Sequence, residues 1–167
     1  MQKILVSSCL LGELVRYDGK NKLIENKLLK KWIEQNRVMS FCPEVSAGLP
    51  VPRIAAEIIG GDGNNVLAGS ATVVDKAGNN MTEEFLSGAQ QALSLCKKHD
   101  ITIAILSKRS PSCGNKLIYD GSFNNQLREG AGVTTALLQQ NNIQVFNQSE
   151  LVDAARCIDK QHNKPPS

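Results

Sequence analysis

The amino-acid sequence predicts an α/β fold in which a mostly parallel sheet lies between two layers of helix. Short apolar runs such as Ile4-Leu5-Val6 and Ile103-Ala104-Ile105-Leu106 read as strands covered on both faces. Between such runs lie stretches whose apolar residues recur at helical spacing. The two kinds of segment alternate along the chain, the pattern of βαβ units with right-handed crossovers.

Residues 3–8 form the first expected strand. The Tyr17-Asp18-Gly19 turn leads into an expected helix from Lys22 to Gln35, with Leu23, Leu28, Leu29, Trp32 and Ile33 on its apolar face. A strand at 37–41 follows, then the loop Cys42-Pro43-Glu44. Pro50 and Pro52 exclude a regular helix or central strand from the next segment. Between residues 56 and 80, clusters of glycine and asparagine separate Ile58-Ile59, Val66-Leu67 and Thr72-Val73-Val74, which reads as a hairpin-like excursion peripheral to the sheet. Thr82 is the expected N-cap, and Glu83-Glu84 the acidic first turn, of a helix reaching His99. Phe85, Ala89, Ala92, Leu93 and Cys96 share one face of it. A strand at 102–106 then enters a long polar loop, 107–128, without structure of its own; loops of that length are usually functional. A helix at 130–141, a strand at 143–146 and a helix at 149–160 capped by Ser149 complete the series. Residues 1–160 thus read as one Rossmann-like three-layer sandwich, and Gln161–Ser167 as a disordered tail.

A chain of 167 residues can bury roughly 70% of its unfolded surface without disulfides. Its 41% apolar and 21% charged residues exclude a fibrous or disordered chain. The net charge of +3 and the 4% aromatic content fall short of a nucleic-acid-binding surface, and no stable nucleic-acid partner is expected. No apolar run reaches the ~18 residues that span a bilayer, and the first residues lack the pattern of an export signal. A cytoplasmic protein is therefore expected, and its five cysteines read as thiols or ligands rather than as a disulfide framework.

Cys9, Cys42 and Cys113 each follow an expected strand, in a loop opened by Gly12, Pro43, or Pro111 and Gly114. Loops at the carboxyl ends of parallel strands converge on one bound object, so residues far apart in sequence meet there. Cys96 and Cys157 lie inside amphipathic helices, where a thiol is ordinary apolar filling. Structural zinc usually takes four ligands in close pairs, and no C-x-x-C pair occurs. Three cysteines on an iron–sulfur cluster would leave one iron open to a substrate. A metal-free cysteine nucleophile and a non-catalytic iron–sulfur or zinc-binding module are the competing readings. Glu44, two residues after Cys42, is the candidate proton carrier, and Ser110 and Ser112 flank Cys113 with hydroxyl donors. Arg16, Lys22, Arg53, Lys108 and Arg128 lie in or beside these loops as candidates for an anion pocket. Neither a dinucleotide-binding nor a P-loop fingerprint is present.

Taken together, Ser8-Cys9-Leu10-Leu11-Gly12, Arg16-Tyr17-Asp18-Gly19, Phe41-Cys42-Pro43-Glu44, Gly48-Leu49-Pro50-Val51-Pro52-Arg53 and Ser110-Pro111-Ser112-Cys113-Gly114 closely resemble the thiouracil desulfidases, a family long catalogued as a domain of unknown function. Ala55-Ala56-Glu57-Ile58, Tyr119-Asp120-Gly121-Ser122-Phe123 and Gly132-Val133-Thr134 extend the resemblance over most of residues 1–150, in the short form without the C-terminal domain that some members carry. The resemblance implies a [4Fe-4S] cluster on Cys9, Cys42 and Cys113 with its fourth iron free. It also implies non-redox removal of sulfur from 4-thiouracil or 4-thiouridine 5′-monophosphate, which releases hydrogen sulfide. Glu44 matches the family's acid/base and Ser110 its catalytic serine. Arg16, Tyr17, Asp18, Lys22, Arg53 and Ser112 are the expected substrate contacts.

Overall fold

The computed structural model describes residues 1–162. In chain order the elements are β1 (Ile4–Ser7), a 3-10 turn (Ser8–Leu11), α1 (Lys27–Glu34), β2 (Val38–Phe41), α2 (Pro43–Ser46), β3 (Ala56–Ile59), α3 (Gly63–Ala68) and β4 (Thr72–Asp75). They continue as α4 (Thr82–Lys98), β5 (Ile103–Ile105), β6 (Leu117–Tyr119), β7 (Leu127–Glu129), α5 (Val133–Gln140), β8 (Gln144–Phe146) and α6 (Leu151–His162).

Four strands pair in parallel in the order β2-β1-β5-β8. Successive side chains of a strand point to opposite faces, and the two faces build two cores. Leu5 and Ala104 pack with Phe85, Ala89 and Leu138 from α4 and α5, while Ile4, Val6, Ile103 and Ile105 pack with Leu29 and Trp32 of α1 and Ile158 of α6. The predicted α/β sandwich is the observed one. From β1 the chain moves to one side to make β2, then returns across β1 to make β5. The carboxyl ends of β1 and β5 therefore flank a point where the connections diverge, the usual place for a ligand crevice in an open parallel sheet.

Several elements differ from the sequence expectation. The first helix starts five residues late, because the N–H groups of Lys22 and Ile24 donate to Cys9 O (2.9 Å) and Leu10 O (3.2 Å). Residues 22–26 are thereby held extended against the 3-10 turn, and Asn26 caps the helix by accepting from Leu28 N at 2.8 Å. Leu23 and Ile33, expected in the core, are 56% and 49% exposed. The hairpin of β3 and β4 forms as expected, apart from the main sheet. Val66-Leu67 within it is helical, since Asp62 and Asn65 close a capping box at the start of α3. Thr82 is the first residue of α4 rather than its cap, and its hydroxyl accepts from Val73 N at 3.0 Å. The polar loop after β5 contains the antiparallel pair β6–β7. Ser149 caps no helix; its hydroxyl accepts from Lys108 Nζ at 3.1 Å. Gln161 belongs to α6 and accepts from Thr102 Oγ1 at 2.8 Å, so the expected tail begins inside a helix; residues 163–167 lie outside the described residues.

Candidate active site

β1, β2 and β5 deliver the three cysteines to one sheet edge. Ser7 is in register with Phe41, and Val6 with Ile105, so the three strands end side by side, with neighbours about 4.8 Å apart. Cys9 sits in the 3-10 turn directly after β1, which Gly12 closes at a φ of 95°, a conformation that side chains other than glycine adopt at a cost. Cys42 follows β2 as the N-cap residue of α2, with Pro43 at the first helical position, where its missing N–H costs nothing. Cys113 lies in the loop after β5. The start of α5 holds that loop, as Val133 N donates to Pro111 O (2.9 Å), Thr134 N to Ser112 O (2.9 Å) and Thr135 Oγ1 to Cys113 O (2.7 Å).

Gly132 permits this contact. A Cβ on Gly132 would come within 2.4 Å of the Ser112 carbonyl carbon, and the obstacle is backbone. Gly132→Ala is expected to cost about 1–3 kcal/mol, the usual range for forced overpacking, and to lower the Tm by about 3 °C per kcal/mol. Thermal unfolding followed by circular dichroism checks it; an unchanged Tm would mean that the loop can shift freely.

The three thiols line one cavity of about 520 Å³. Burial pushes each of them above its ordinary pKa. The Glu44 carboxylate raises them further, and Cys113 is also raised by the other two thiols. Lys22 and Arg16 act in the opposite direction on Cys9, as Arg53 does on Cys42. Thiols in this state stay largely protonated unless a positive partner is present, and a polycationic centre is a partner that would stabilise their thiolates. Among the described residues, no three of His, Cys, Asp and Glu gather closely enough to hold one metal ion. Thiolate is the donor that iron–sulfur clusters take, and in donor chemistry the three cavity thiols fit such a cluster.

Glu44 lies in the same cavity, in the first turn of α2. Its Oε2 accepts from Arg53 Nε at 3.0 Å and from Arg53 Nη2. The side chains are 16% and 9% exposed, respectively. Oε1 has no hydrogen-bond partner among the described residues, and it is not sealed in, because no buried side-chain oxygen there lacks a partner. Arg53 Nη1 donates to Val15 O and Pro50 O, both at 3.2 Å. All three of its nitrogens are therefore engaged by protein, which orients Glu44, and one Nη2 N–H is left without a partner among the described residues. Ser110 Oγ accepts from Ser112 N (3.0 Å) and Cys113 N (3.1 Å), which leaves its O–H as a donor towards the cavity it lines.

Arg16, Tyr17 and Lys22 also line the cavity. The Arg16 guanidinium lies 5.7 Å from the Tyr17 ring centroid. Asp18 is outside the lining and pairs with Arg16 at 3.5 Å. Ser112 is fully buried outside the cavity lining and bonds Thr134 Oγ1 at 2.8 Å. Arg128 lies on exposed β7 and donates to Glu129 O at 3.1 Å, so it leaves the anion pocket. Arg109 takes its place among the lining residues, with Lys108. Lys22 has no carboxylate partner among the described residues; burial and then the positive charges of Arg16, Arg109 and Lys108 lower its pKa, opposed by the Cys9 charge. Such a group of cations favours an anion. Sequence reasoning missed Arg109, although it directly follows Lys108, and it missed Glu57 in β3, which also lines the cavity.

No helix among the described residues is long and apolar enough to cross a membrane. Residues 4–150 match the 2-thiouracil desulfurase family. The Bacillus subtilis (strain 168) protein YbbK, itself uncharacterized, is 41% identical over 150 residues, which are 90% of this chain and 98% of that protein. The solved structure of the [4Fe-4S]-dependent thiouracil desulfidase TudS is similar with a TM-score of 0.87 at 42% identity, over 96% of this chain and 99% of that one. With a match that spans β1 to the start of α6, including every loop that carries a cavity cysteine, the chain belongs to the 2-thiouracil desulfurase family.

Proposed function

We propose that this protein is a [4Fe-4S]-dependent desulfidase that removes sulfur from thiolated pyrimidines, 4-thiouracil or 4-thiouridine 5′-monophosphate, to give uracil or UMP and hydrogen sulfide. The observation that carries this reading is the meeting of Cys9, Cys42, Cys113 and the open Glu44 Oε1 in one cavity. The three cysteines would hold the cluster, which supplies a Lewis-acid iron and an acceptor for sulfide. Glu44 Oε1 accepts a proton from the water that adds to the thiocarbonyl carbon. The Ser110 hydroxyl donates a hydrogen bond to the substrate as charge develops on it. One water enters and one hydrogen sulfide leaves; the water oxygen becomes the carbonyl oxygen, both its protons depart with the sulfur, and no electrons are exchanged.

Lys22, Lys108 and Arg109 support a nucleotide over a free base, because their charges are poised for phosphate. Anaerobically reconstituted protein is expected to release sulfide from 4-thiouridine 5′-monophosphate with a higher kcat/KM than from 4-thiouracil, and the advantage should shrink at high salt. Absence of sulfide release from both compounds at full iron loading would overturn the proposal.

A further inference from the structure

Glu57 is a carboxylate that the chemistry above does not use. It lines the same cavity and is 8% exposed. In β3 its neighbour Ile58 faces the core, so by strand alternation Glu57 faces the other way. Its Oε1 accepts from Gly121 N at 2.9 Å and Phe123 N at 3.3 Å, which ties β3 to a turn lying between Tyr119 and Asn125, both of them cavity residues. Oε2 has neither a hydrogen bond nor an ion pair among the described residues, yet it is not sealed off, and Glu57 is a lining residue of the cavity. Holding the turn needs one oxygen, and glutamine would serve as well. A buried carboxylate is stable when donors satisfy both oxygens, so the free oxygen calls for an N–H from whatever occupies the cavity.

A thiolated uracil offers ring N–H groups at N1 and N3. In a nucleotide N1 carries the sugar, and N3–H is the ring donor that remains. We infer that Glu57 Oε2 accepts the N3–H of the pyrimidine and so selects uracil-type rings over cytosine-type rings, whose N3 is an acceptor. The inference rests on the desulfidase reading for the identity of the ring, and on Glu57 for the edge that is recognised.

Calorimetric titration of the anaerobically reconstituted protein with uracil, 1-methyluracil, 3-methyluracil and cytosine tests it. Uracil and 1-methyluracil should bind alike, and 3-methyluracil at least about tenfold more weakly, as for loss of a hydrogen bond to a charged group. In Glu57→Gln the amide oxygen can keep Gly121 and Phe123 while the amide N–H groups face the cavity. Uracil binding should then fall about tenfold or more while cytosine binding rises. Equal binding of uracil and 3-methyluracil by the wild type, no uracil binding at all, or an equal fall for uracil and cytosine in the variant would overturn the assignment. Sulfide release measured on the same preparation separates the two ideas. Release without N3 discrimination removes the role of Glu57 and keeps the desulfidase, whereas N3 discrimination without release keeps a uracil-edge site and removes the desulfidase.

Discussion

Cys9→Ser, Cys42→Ser and Cys113→Ser are each expected to reconstitute with depleted iron and sulfide and to lose desulfidase activity by at least about a hundredfold. That is the upper end of what loss of an outer-shell partner costs a metal site, and a direct ligand should cost no less. A serine hydroxyl is a hard, poorly ionised donor where soft thiolate is needed. The three loops are built separately, by Gly12 at the 3-10 turn, by Pro43 at the start of α2 and by the seat of residues 111–113 on α5. None can move to cover for another. Cys96 provides the control. It is buried in the core of α4, and burial alone pushes its thiol up to about 11, so Cys96→Ser should lower stability while iron content stays at the wild-type level. Iron and sulfide assays on all four variants decide the matter; wild-type iron in any of the three cavity variants would remove that cysteine from the ligand set.

Glu44→Gln should retain a full cluster and lose about a hundredfold to ten-thousandfold in kcat, the span of general acid–base contributions. The glutamine oxygen can still accept from Arg53, so the local fold survives while the proposed proton acceptor becomes an amide. Arg53→Ala should also slow the reaction, because it frees Glu44 from its orientation and leaves that carboxylate without its cation. It should lower the Tm as well, since Val15 O and Pro50 O lose their donor. The contrast between an intact Tm in Glu44→Gln and a lowered Tm in Arg53→Ala distinguishes chemistry from positioning. Iron-loaded Glu44→Gln that turns over at the wild-type rate would exclude the carboxylate from proton transfer.

Among these residues, the sequence made legible whatever depends on neighbours along the chain. The buried strand runs, the face of α4 formed by Phe85, Ala89, Ala92, Leu93 and Cys96, and the glycines and prolines around the three cysteines all report local geometry. The parallel sandwich follows from them with few alternatives. Local signals failed where a distant segment outbid them. Lys22 and Ile24 donate to the 3-10 turn and delay α1, Thr82 bonds Val73 and Ser149 receives Lys108, and β6 and β7 pair inside a stretch that reads as plain polar loop.

The site divides in the same way. The residue types and their attachment to strand ends point to Cys9, Cys42, Cys113 and Glu44, with Ser110 and Ser112 beside them; only the family resemblance prefers Ser110 to Ser112. Only the folded arrangement decides how the polar groups are paired: Arg53 with Glu44, Ser112 with Thr134 and Asp18 with Arg16, whereas Arg109 and Glu57 reach the cavity. The physical reason is that strand and helix signals arise from covalent neighbours and are written in sequence order, whereas the free valence of a polar side chain is set by partners that can lie tens of residues away, as Gly121 and Phe123 do from Glu57.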